Sequence, residues 1–242
     1  MDADQRAQFR RAIDEVSAQS GISLEEAAQR FAQALFHHLR ESLVLVRTYV
    51  TLDYRDLPEA TRAAADEMAT KAQLSLGPTS AVLALLGTAG ARPEWNDRAC
   101  SKAHAGIPLV SAKFVSAIPM VSALLEQLGV DLGWIHGGGQ IDTEALGRLA
   151  GGFYVDDATK AKDLLGRHII PAQDFVATHH VQTVFGIGGG YPGTSAFNVT
   201  IFFMNEAISR DTARSFQGLL LAFKNGTKKF MAPTRARVIR AA

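Results

Sequence analysis

The feature that most restricts how this chain can fold is a period-two pattern that recurs in separated stretches. Within residues 43–52, Val44, Val46, Thr48, Val50 and Leu52 fall on one side of an extended chain, and Leu45, Arg47, Tyr49 and Thr51 on the other. Within residues 196–204, Phe197, Val199, Ile201 and Phe203 alternate with Asn198, Thr200, Phe202 and Met204. A helix would scatter these side chains around its axis, so both stretches are predicted to be strands. The first has one face more polar than the other.

Weaker signals extend the pattern. Residues 81–87 form a second apolar run after the Gly77-Pro78 break. Residues 107–109 suit a short edge strand, because Pro108 cannot donate to a ladder. Residues 130–135 and 153–155 are expected to be extended, and residues 182–187 form a hairpin with 196–204 across the loop Gly188 to Gly193.

Helical periodicity fills the intervals. Phe9, Ile13 and Val16 recur at helical spacing up to Gly21. Ser23 with Glu26 three residues later then makes a capping box, opening a helix whose apolar stripe is Leu24, Ala28, Phe31, Leu35 and Leu39. Further helices are predicted over 58–73, begun by Pro58, over 112–128 with an interruption at Pro119, over 142–149, over 172–178, and over 209–229. Hairpin-forming strands with helices between them and at both ends indicate an α+β domain, with helices packed on a central antiparallel sheet.

The 242 residues suffice for one large domain with a helical extension. The expected division is an N-terminal helical extension over 1–42, a main domain over 43–230 and a basic tail over 231–242. Hydrophobic residues at 47% and charged residues at 20% are ordinary for a globular chain, which excludes a disordered or fibrous polymer. A net charge of +1 with scattered Lys and Arg argues against nucleic acid as a partner. The tail residues Lys228, Lys229, Arg235, Arg237 and Arg240 are the exception, and suit a solvated terminus. With one cysteine, Cys100, no internal disulfide and no CxxC metal knuckle can form. The polar start and the lack of an apolar run of about 20 residues predict a cytoplasmic protein with no membrane partner.

Most motifs with catalytic potential fail on context. Gly188, Gly190 and Gly193 match G-x-G-x-x-G, yet a strand follows where the dinucleotide fingerprint needs a helix, and Pro192 removes an amide. The adjacent pairs His37-His38 and His179-His180 point their rings apart, while His104, His136 and His168 could meet only through the fold. HExxH, G-x-S-x-G and P-loop patterns are absent. Asp156-Asp157 and Glu25-Glu26 suit caps and surface charge. No catalytic residue is assigned.

Residues suited to binding are easier to find. Trp95, Asp97 and His104 lie in the long connection after the second strand, and Gln173 and Phe175 follow Pro171. Tyr49, Phe185 and Phe202 would add aromatic walls from strands, giving apolar rings with a few polar groups, as small-molecule recognition requires. The competing expectation makes the aromatics core residues, with Asp97 and Gln173 as caps or loop ties.

Several segments taken together resemble a known family. Val46-Arg47-Thr48-Tyr49, Tyr54 to Pro58, Leu86 to Gly90 and Pro93 to Arg98 are similar to the GAF-like N-terminal sensory modules of bacterial histidine kinases and related signalling proteins. Ile107-Pro108-Leu109, Ile118-Pro119-Met120, Ile170 to Val176, Thr183 to Gly186 and the strand Val199 to Phe203 continue the resemblance, which spans roughly residues 43–230. It implies a sensor fold with a central antiparallel sheet, a pocket on one face, flanking helices that dimerise, and output through an attached domain. No phosphoacceptor helix, ATP-binding lid or cyclase signature follows residue 230, so output is expected to pass to a separate signalling protein. The resemblance names no cofactor or ligand.

Four readings follow. The first is a non-catalytic ligand sensor acting as a homodimer through its terminal helices. The second is a small thiol-dependent enzyme on the same scaffold using Cys100, which lies between Arg98 and Lys102 but lacks a resolving thiol. The third is a haem- or metal-bound gas sensor, and the fourth a protein-interaction domain whose pocket is filled by its own side chains.

Overall fold

The computed structural model describes residue 11 and residues 22–101, 104–129, 150–194 and 196–231. The strand expected over 130–135, the helix over 142–149, the first N-terminal helix apart from residue 11, and nearly all of the basic tail lie outside them.

Helix α1, Leu24–Leu39, starts where the capping box predicts, with the Glu26 amide donating to the Ser23 hydroxyl at 3.1 Å. The chain then enters β1, Leu43–Asp53, and continues through α2, Glu59–Lys71, β2, Ala81–Gly90, and the short β3, Gly106–Pro108. The helix predicted over 112–128 is divided at Pro119 into α3, Ala112–Ser116, and α4, Pro119–Gln127. Next come β4, Ala150–Val155, α5, Gln173–Thr178, β5, Thr183–Gly190, and β6, Phe197–Met204. The closing helix is broken at Phe216 into α6, Arg210–Ser215, and α7, Gln217–Thr227.

The six strands form one antiparallel sheet in the order β3-β2-β1-β6-β5-β4. The fold is therefore α+β, with β1 and β6 at the centre of the sheet. One expectation is corrected: Gly188, Gly189 and Gly190 are not loop but paired strand, opposite Val199, Asn198 and Phe197. Their amides are held in the ladder, so the first half of the apparent G-x-G-x-x-G pattern is β-strand.

Helices and connections cover the sheet on both sides. On the face here called the helix face, Val46 and Val50 of β1, Leu86 of β2, and Phe202 and Met204 of β6 pack with Phe31 and Leu35 of α1 and with Leu220 and Phe223 of α7. The apolar stripe of α1 packs on the chain's own sheet, and Ala28, Phe31, Ala32 and Leu35 are fully buried. On the loop face, Leu45, Tyr49, Val199, Ile201 and Phe203 pack against Val115, Val121, Leu124 and Val176 from α3, α4 and α5. No helix among the described residues is long and apolar enough to cross a membrane.

Candidate functional site

The two faces differ chemically. The helix face is lined by apolar side chains with a few buried polar ones, among them Thr48 and Thr200, whose hydroxyls meet at 3.2 Å. The loop face carries a charge at its middle: Arg47, between Leu45 and Tyr49 on β1, is half-buried and lies opposite Thr88 of β2 and Ile201 of β6. Strand alternation dictates this, because Val46 and Thr48 on either side turn to the helix face.

Around Arg47 the loop face is covered by irregular connections. Trp95 ends a single 3-10 turn, Pro93–Trp95, and its carbonyl accepts a hydrogen bond from the buried Thr88 hydroxyl at 3.0 Å. Its indole lies over Gly90, where a methyl group would come within 2.8 Å of the ring, and beside Leu45. Phe175 and His179, four residues apart at the end of α5, meet the same indole at 5.5 and 4.8 Å between ring centres. Phe203 of β6 meets Phe175 edge-on at 5.6 Å. The result is an aromatic corner of Trp95, Phe175, His179 and Phe203, half-buried except for Phe203.

His104 approaches from the connection into β3, in a left-handed conformation with φ +60°. The carbonyl of the next residue, Ala105, accepts from the Leu85 amide at 2.8 Å and so anchors the segment beside β2. Much of the His104 surface reaches solvent, but the protein against its ring desolvates it, and the Arg47 charge adds to this, so its pKa lies below the ordinary 6.5.

The predicted binding residues therefore separate into groups. Tyr49, Trp95, His104 and Phe175 share the loop face or its cover. Phe185 and Phe202 do not join them: they stack at 4.7 Å on the helix face, 1% and 0% exposed, with Phe216 edge-on to both. Gln173 donates its amide to the carbonyls of Ile170 at 2.7 Å and Ala158 at 3.0 Å, which ties two loops together. Asp97 accepts from the Ala99 amide at 2.9 Å and caps a short turn. For these two, the competing expectation of cap and loop tie is the arrangement observed.

Three residues of the loop-face site, Arg47, His179 and Phe203, were not among the candidates. Arg47 was visible as a lone charge in an apolar alternation, and His179 as a ring four residues after Phe175, but Phe203 looked like any core residue. Cys100 is exposed on the turn Arg98–Cys100. Among the described residues no group of three or more His, Cys, Asp or Glu could hold a metal ion.

Chemically the loop face offers a fixed cation, two imidazoles and an indole. That combination can hold a small molecule with an anionic group and a flat apolar part. The chain matches no protein-family model and no curated protein.

Proposed function

We propose that this chain is a non-catalytic, GAF-like sensory domain that binds a small molecule over the loop face of its sheet. The observation that carries this reading is Arg47. A guanidinium on a central strand, half-buried on a sheet face lined mainly by apolar side chains, supplies a permanent positive charge where packing alone would favour an apolar residue, and charges so placed are commonly kept for recognition. The irregular connections around it support the same reading, since loops held on a rigid sheet are where binding residues concentrate. Trp95 and His179 would contact the flat part of the ligand, with Arg47 and His104 at its charged end. Output passes to a separate signalling protein, and the chain acts as a homodimer through its terminal helices, where Leu221 on α7 is an exposed apolar side chain, 55% accessible.

The test is a thermal-shift screen of anionic and neutral metabolites on natively purified protein, with native mass spectrometry to detect a retained molecule. An anionic hit should be lost in Arg47→Met and weakened in Trp95→Leu. A screen without hits and a protein carrying no small molecule would overturn the sensing role.

A further inference from the structure

A second site is visible on the opposite side of the sheet, independent of the loop-face reading. Between edge strand β4 and helix α6 runs a groove of about 360 Å³. Its floor is the sheet at Gly152, Phe185 and Ile187 on the helix face. Gly152 leaves the floor hollow: a Cβ placed there would meet only the Gly186 carbonyl oxygen within 4 Å, at 3.4 Å.

The polar groups at the rim are predominantly donors. Arg210 lies over the Tyr154 ring at 4.5 Å, and the Tyr154 hydroxyl donates to the Ile208 carbonyl at 2.6 Å, so the ring that supports the guanidinium is itself fixed. Gln127 accepts the Tyr154 amide on its Oε1 at 3.0 Å, which leaves its Nε2 to donate. Because the Tyr154 amide points away from β5, the Gly152 amide two residues earlier points to the same outer edge. Arg214 and Gln217 close the other side. Among the described residues no carboxylate lines the groove, and Asp211 stands 3.6 Å from Arg214, longer than a charge-assisted hydrogen bond.

We infer that this groove binds a phosphate monoester. Two guanidinium groups with amide donors between them match a dianion with three terminal oxygens better than a carboxylate, which has one charge and two. The organic part of the ligand would lie over the hollow at Gly152. Two arginines facing one groove, with only the exposed carboxylate of Asp211 near Arg214, repel each other, and a bound dianion relieves that repulsion.

The experiment is a titration of the full-length, isotope-labelled chain followed by amide and arginine side-chain resonances, with phenyl phosphate, inorganic phosphate, benzoate and benzamide as probes. Phenyl phosphate is expected to move the Gly151, Gly152 and Arg210 resonances with a Kd tighter than about 1 mM. Inorganic phosphate should act at the same resonances more weakly, benzoate at least about tenfold more weakly, and benzamide not at all. Arg210→Gln with Arg214→Gln should abolish the response, and Gly152→Val should block phenyl phosphate while leaving the two arginines in place. The inference is overturned if phenyl phosphate moves none of these resonances, if benzoate binds as well as phenyl phosphate, or if the response survives the double arginine change.

Discussion

Gly87 of β2 lies beneath the carbonyl of Ala28 in α1 so closely that a methyl group on Gly87 would sit 2.1 Å from that oxygen. A register shift creates the contact: Thr48 is opposite Gly87 and Tyr49 opposite Leu85, so Leu86 is an extra residue, and Leu86 and Gly87 both turn toward the helix. Gly87→Ala must therefore lift α1 off the sheet, and a loss of at least about 2 kcal/mol is expected in urea unfolding. Gly218, in the second position of α7, has nothing within 4 Å of its would-be Cβ, so Gly218→Ala should instead gain about 0.5 kcal/mol. Equal effects at the two positions would refute the close-contact account.

Asn198 gives a second prediction. It is fully buried on the helix face of β6, and neither amide atom meets a hydrogen-bond partner among the described residues. Replacing it with leucine of nearly the same shape removes that uncompensated burial and should raise stability by about 1 to 2 kcal/mol. Asn198→Asp should lower it by more than about 3 kcal/mol, because a charge is then buried without a partner. A leucine variant less stable than the parent would mean that water satisfies the amide.

How far the fold could be read from residues is clearest in β1 and β6. Their alternation separates side chains into two sets per strand, and these sets stay together in the structure except for Val44, which a register shift between Leu43 and Leu45 places with Leu45 and Tyr49 in the loop-face core while Val46 and Val50 pack on the helix face. Alternation does not say which set of one strand shares a face with which set of another. Tyr49 was grouped with Phe185 and Phe202 as walls of one pocket, but pairing of Phe202 with Val46 and of Phe185 with Phe202 puts those rings on the helix face, while Tyr49 pairs with Val199 on the other. Register decides this, and register is a long-range property of about 150 residues of intervening chain. The glycine run at 188–190 misled for a local reason: three glycines lower strand propensity, yet a flat strand between two neighbours accommodates them. Of the aromatic corner the sequence singles out Trp95 and Phe175 but not Phe203, which is far from both in the chain and meets Phe175 only when the sheet forms.

The turn at Asp157 allows a prediction about acid. Its carboxylate accepts from Lys160 at 2.8 Å, from the Thr159 hydroxyl at 2.5 Å and from the Thr159 amide at 2.9 Å. The Lys160 hydrogen bond first, then those from Thr159, bring its pKa down from 3.8 to about 2. A depressed carboxylate binds its proton more tightly when unfolded, so its support for the turn is complete above 3.8 and is lost as pH falls through about 2. Carboxyl-carbon resonances should give a midpoint near 2 for Asp157, moving upward in Lys160→Met. A midpoint at the ordinary value in the parent protein would contradict the turn geometry.

His104 and Arg47 supply the last prediction, and it bears on the proposed ligand face. Desolvation first, and the Arg47 charge second, lower the His104 pKa below 6.5 in the folded chain. The unfolded chain then binds more protons than the folded one between the two values, so stability rises with pH there. The contribution of a neutral His104 is complete above 6.5 and is lost as pH falls toward the folded pKa. Replacing Arg47 with methionine removes the charge but keeps most of the burial, so the His104 ring resonances should titrate at a higher pH, though still below the ordinary value. An anion bound beside Arg47 should have the same sign of effect in the parent protein, because it too offsets the guanidinium charge. If neither the substitution nor an anionic hit from the thermal-shift screen moves the His104 midpoint, the two residues do not share a binding site.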